Sequence, residues 1–97
     1  MKVYNMESKN GRAVPNQLSI YDAEKNVGYF QSYKSIIIKK DYNDGGKVYL
    51  DSDTWDYSTT TGRYRNQWLG ENTKIIKSKI KSGEYTLADL NSVPGLF

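Results

Sequence analysis

The chain has 97 residues and a mass of 11.1 kDa, which bounds it to a single domain built on one modest core. It contains neither cysteine nor histidine, so disulfide frameworks, thiolate nucleophiles, Cys-based zinc sites and His-dependent triads are excluded, and no catalytic residues, cofactor or metal are expected. The net charge of +3 lies wholly in the second half: residues 1–56 carry eight basic and eight acidic side chains, residues 57–97 six and three.

Read in chain order, the first half has the period of short strands. Lys2 to Met6 reads as an edge strand, followed by a loop, SKNGRAVPN, punctuated by Gly11 and Pro15. Gln17 to Tyr21 alternates Leu18 and Ile20 against Ser19 and Tyr21. After a turn at AEKN, Gly28 to Tyr33 sets Tyr29, Gln31 and Tyr33 on one face and Phe30 with Ser32 on the other. Ser35 to Lys40 and Lys47 to Asp51 flank DYNDGG, whose Asp44-Gly45-Gly46 supplies the positive φ angles of a tight hairpin. In that hairpin Ile36 and Ile38 are expected to face Val48 and Leu50, with Ile37 on the opposite side.

The period then changes. Ser58, Thr59 and Thr60 are suitable N-caps for a helix carrying Tyr64 and Trp68 and ended by Gly70. Asn72 or Thr73 opens a second helix closed by Gly83, with Ile76 and Ile80 on its apolar side and Lys74, Lys77 and Lys81 in a stripe opposite. Lys79 falls between Ile75 and Ile76 and fits only if its stem snorkels. GEYTLADLN reads either as a last strand or as a short helix, and 92–97 reads as a tail. The expected architecture is α+β: a small antiparallel sheet of about four to five strands over 2–51, with one or two helices over 59–83 packed on it.

The segment RYRNQWLGENTKIIKSKIK, residues 63–81, holds six basic side chains against one carboxylate, with Tyr64 and Trp68 interleaved. As a contact surface it would use Arg63, Arg65, Lys74, Lys77 and Lys81 on an anionic partner, with Tyr64 or Trp68 stacking on a base or packing into the partner and Trp55 or Tyr57 at the margin. The competing reading makes Tyr64 and Trp68 core residues and the lysines a solvated helix face. Asp51, Asp53 and Asp56 have alternating spacing but lack the Gly and Glu of a calcium loop, so capping and ion pairing explain them better. Ser58 to Gly62 lacks the Gly spacing and following Lys of a P-loop, and hydroxyl capping is the simpler account. No apolar run approaches a membrane span, and the N-terminus has no secretory h-region, so an intracellular protein without a membrane partner is expected.

Three motifs in order, Phe30-Gln31-Ser32-Tyr33, then Trp55-Asp56-Tyr57-Ser58 with Thr60-Thr61-Gly62-Arg63-Tyr64, then Trp68-Leu69-Gly70, carry a resemblance. The chain resembles an uncharacterised small domain recurring in bacteriophage and prophage proteins, over about residues 27 to 90. The resemblance implies a small accessory protein of a phage or mobile element in the cytoplasm of a bacterial host. By analogy of origin and size it implies a non-enzymatic, anti-CRISPR-like inhibitor of a host protein or nucleoprotein complex, a CRISPR effector being one candidate. The alternative is a phage nucleic-acid-binding or regulatory protein that contacts nucleic acid directly through residues 63–81. A homodimer through a Tyr-rich sheet face or an edge strand is also compatible with the pattern.

Overall fold

In a computed structural model, which describes residues 1–92, the alternating segments of the first half pair into consecutive hairpins. The strands are β1 (Lys2–Glu7), β2 (Ala13–Asp22), β3 (Val27–Ser32), β4 (Ser35–Asp41) and β5 (Lys47–Asp51). Helices α1 (Thr59–Leu69) and α2 (Thr73–Ser82) follow, and β6 (Tyr85–Ala88) closes the sheet. Spatial order equals chain order, β1 to β6, with antiparallel pairs throughout except β5 and β6. The described residues therefore form an α+β fold whose sheet is six-stranded and mixed, where four to five antiparallel strands were expected. The extra strand is GEYTLADLN. It runs parallel to β5 because a parallel neighbour needs a long crossover, and α1 with α2 supplies one.

Side-chain alternation divides the sheet into two buried faces. On the helix side Phe30, Ile37, Ile38, Val48 and Leu50 pack with Tyr64 of α1, Ile76 of α2 and Tyr85 of β6. On the far side Ile20, Val27, Tyr29 and Ile36 gather with Leu90. The expected pairing of Ile36 with Ile38 is corrected by a β-bulge: Phe30 opposes Ile38 while Gln31 opposes Ile36, so Ile37 is the extra residue. The bulge turns Ile37 and Ile38 toward the helices and leaves Ile36 to the far face.

Two other boundaries moved for local reasons. The strand β2 begins at Ala13, so Pro15 lies inside it, beside Asn16 at φ 67°, where the β1–β2 register shifts near Met6. The strand β3 ends at Ser32, since Tyr33 adopts φ 56° in the two-residue turn to β4. The expected β4–β5 hairpin is present, its turn made by Tyr42–Asp44 and by Gly45 and Gly46 in the left-handed region. From residue 93 onward the expected tail lies outside the described residues.

Candidate functional site

Helix α1 starts where Ser58, in extended conformation, accepts a hydrogen bond from the Thr61 amide at 3.1 Å. It ends at Gly70 in the left-handed region, and the Glu71 amide closes the cap on the Asn66 carbonyl at 3.0 Å. Only two residues then separate Gly70 from α2, whose first turn Asn72 caps by accepting from the Ile75 amide at 2.9 Å. These caps fix which side chains of residues 63–81 face inward.

Arg65 and Tyr64 face inward, which corrects both as contact residues. Arg65 is 1 % exposed. Its Nη1 donates to the Trp55 carbonyl at 2.6 Å and to Asp56 Oδ1 at 3.0 Å. Its Nε and Nη2 donate to Asn66 Oδ1, and Nη2 also reaches Thr73 Oγ1 at 3.0 Å. The guanidinium thus ties the β5–α1 connection to the start of α2, with the Trp55 ring centroid 5.2 Å away. Gly62 permits this: a Cβ there would lie 3.4 Å from Nη2. Tyr64 is in the helix-side core, and Trp55 is half-buried against that core. The carboxylates of DSDTWD are likewise engaged. Asp51 accepts from the Thr54 amide and hydroxyl and from the Leu90 amide, and Asp56 pairs with Arg65, while Asp53 is exposed.

Lys79 is held beside a second network that the sequence did not announce. Its ammonium bonds the Glu71 carboxylate, lies 3.4 Å from Glu84 and sits 5.1 Å from the Tyr85 ring centroid; the Tyr85 hydroxyl donates to Glu71 as well. Burial alone would raise the Glu71 carboxyl, but the bonds from Lys79 and Tyr85 outweigh it and hold it below its ordinary value. Burial, reinforced by the bond to Glu71, pushes the Tyr85 phenol up to about 12. Hydrogen bonding to Glu71 raises the Lys79 ammonium.

Subtracting these engaged groups leaves Arg63, Lys74, Lys77, Lys81 and Tyr57 exposed. Lys74, Lys77 and Lys81 share the outer face of α2, since spacings of three and four residues return to one side of a helix. Among the described residues none of the three, nor Arg63, has an ion-pair partner. Arg63 stands elsewhere, beside Lys9, Asn10 and Gln67 around a cavity of about 230 Å³ at the β1–β2 turn. The basic segment is therefore not one surface. It resolves into a lysine face on α2, a separate Arg63 corner, and two cations consumed inside the fold.

Trp68 is half-buried, as the core reading expected, with its Nε1 donating to Ser19 Oγ at 2.9 Å. Its ring also borders a cavity of about 390 Å³ lined by Tyr21, Asn26, Gly28 and Tyr42, a site that sequence reasoning missed. The one available signal was Gly28 at the start of a Tyr/Phe-bearing strand, where a glycine can mark a close approach.

A family model, described as a family of unknown function (DUF8033), matches residues 1–84. No curated protein and no solved structure matches the chain. No helix among the described residues is long and apolar enough to cross a membrane.

Proposed function

The chain belongs to the DUF8033 family, and for this member we propose a non-enzymatic binding role, with the outer face of α2 docking on an acidic or phosphate-bearing surface of a nucleoprotein. One observation carries the reading: Lys74, Lys77 and Lys81 are exposed together without carboxylate partners among the described residues, while the neighbouring cations Arg65 and Lys79 are both paired. Unpaired cations on a rigid helix raise the local potential and steer an anionic partner, at little cost in desolvation.

The biological setting we propose is an accessory protein of a phage or mobile element, acting in the cytoplasm of a bacterial host as an anti-CRISPR-like, anti-defence inhibitor. The order of the F-x-S-Y, W-x-x-S-x-T-T and aromatic-Leu motifs, the small size and the localised positive charge support that setting. A basic inhibitor fits an acidic protein surface or a guide RNA rather than the place of the DNA. The reading is tested by reversing charge on the face, with Lys74→Glu, Lys77→Glu and Lys81→Glu together. Loss of inhibition, with the circular-dichroism spectrum and melting temperature kept, is the expected outcome. Full inhibition by that variant removes the lysine face from the account.

A further inference from the structure

On the helix side of the sheet, α1 and α2 do not cover the end formed by β1, β2 and the β4–β5 turn. Tyr21, Tyr42 and Trp68 surround the 390 Å³ cavity there, with Gly28 at its base. A Cβ on Gly28 would lie 3.3 Å from the Tyr42 ring, tighter than an ordinary contact, and 3.5 Å from the Trp68 ring, so the absent side chain eases the approach of Tyr42 over the strand. The rings are held in place. Trp68 is bonded to Ser19, the Tyr21 hydroxyl donates to Asn26 Oδ1 at 2.7 Å, and Tyr21 meets Tyr42 edge-on with centroids 6.0 Å apart. Tyr21 and Tyr42 nevertheless keep 36 % and 44 % of their surface in contact with solvent.

Two lysines border this cleft. Across the strands Lys2 opposes Tyr21 and Lys40 opposes Gly28, and the Lys40 ammonium stands 5.5 Å from the Tyr42 ring centroid. Tyr4, opposite Ser19 and 60 % exposed, extends the aromatic surface toward the sheet edge. The nearest sheet carboxylates, Asp22 and Asp41, flank Val27 in the register and so belong to the far face, where both act on Tyr29. Among the described residues no carboxylate lines the cleft, and Glu71, which feels Lys40, is already bonded to Lys79.

Ordered aromatic faces that stay open to solvent, flanked by lysines and free of carboxylates, are the two components of a sequence-tolerant single-strand site: planes on which bases stack and cations that follow the phosphates. We propose that the cleft of Tyr21, Tyr42 and Trp68 binds single-stranded nucleic acid, one base lying against the aromatic rings and the adjoining phosphates meeting Lys2 and Lys40. This site does not rest on the lysine face of α2 and stands or falls separately.

The test is fluorescence anisotropy with labelled ten-nucleotide single strands of deoxythymidine and of uridine, and a ten-base-pair duplex. Trp68 emission is followed in parallel in a Trp55→Phe background. The expected result is single-strand binding that quenches Trp68, is several-fold tighter than duplex binding, and falls with salt at a slope of about −1.4 for two phosphates. Tyr21→Ala with Tyr42→Ala should weaken it about tenfold or more, since each stacked base carries roughly a 5- to 150-fold share of affinity. Gly28→Ala, which removes no ring but crowds Tyr42, should weaken it in the same direction. The ratio of the two single-strand affinities tells DNA from RNA. Absence of binding, duplex binding of equal strength, or unchanged affinity in the folded Tyr21/Tyr42 double variant overturns the proposal. So does binding of a tryptophan-containing peptide in the cleft with none of either oligonucleotide.

Discussion

Two buried polar side chains, Arg65 and Gln17, and the half-buried Glu71–Lys79–Tyr85 cluster bear differently on this chain's stability. Arg65 satisfies its donors on Trp55, Asp56, Asn66 and Thr73, so truncation would strand several part-buried acceptors at once. Asp56 is itself 43 % exposed, and solvent screening reduces the ion-pair part of that loss. Arg65→Met should cost about 2–3 kcal/mol by urea denaturation, chiefly through the lost hydrogen bonds. Gln17 is the opposite case: fully buried on β2, its side-chain amide has no hydrogen-bond partner among the described residues. Gln17→Met should be neutral or stabilise the fold by about 1 kcal/mol, and a clear destabilisation would show that the amide has a partner after all. The Glu71–Lys79–Tyr85 cluster gives stability a pH window. Glu71 is depressed in the folded chain, so its contribution is present above the ordinary carboxylate range and is lost as pH falls through the folded value. Tyr85 is raised, so its contribution is full below about pH 10 and is lost as pH climbs toward 12, and the raised Lys79 adds to the same alkaline limb. Glu71→Gln should flatten both limbs of a plot of melting temperature against pH; unchanged limbs would remove the cluster from the account.

At the scale of elements, the caps and the glycines were the most readable features. Ser58, Gly70, Asn72 and Gly83 bound α1 and α2 where their chemistry says they should, because a cap needs only local backbone geometry. What local patterns could not carry was anything set by long-range register. The bulge that turns Ile37 toward the helices depends on how β3 and β4 align, and period-2 reading alone puts Ile37 on the wrong face. The assignment of β6 depends on a crossover that brings Tyr85 beside Val48, and Lys79 made sense only once Glu71, Glu84 and Tyr85 stood around it. The same limit governs the site. The lysine stripe follows from helix periodicity and was visible in the sequence, whereas Arg65 lies two residues from Arg63 and has an opposite fate that only the packing of Trp55 and Thr73 decides. The aromatic cleft joins Tyr21, Gly28, Tyr42 and Trp68 from four separate segments, so no spacing in the sequence could have shown it. At one border of the sheet, β1 leaves an edge on which Val3 is 54 % exposed.

For the whole molecule, the sheet and its two cores act as a rigid support, and the exposed features distribute over it as separate patches rather than one electropositive field. The excess charge of the second half reduces, after Arg65 and Lys79 are paired, to the α2 lysines and the Arg63 corner. A binding protein built this way should lose its partner through a change of surface charge that leaves folding intact, since Lys74, Lys77 and Lys81 support no described contact of the fold. The most direct test is quantitative capture from nuclease-treated lysate of the proposed bacterial host, comparing the wild-type chain with the Lys74→Glu, Lys77→Glu, Lys81→Glu variant. The account predicts a nuclease-resistant complex component retained by the wild type and lost by the folded variant. Equal retention by the two would contradict it.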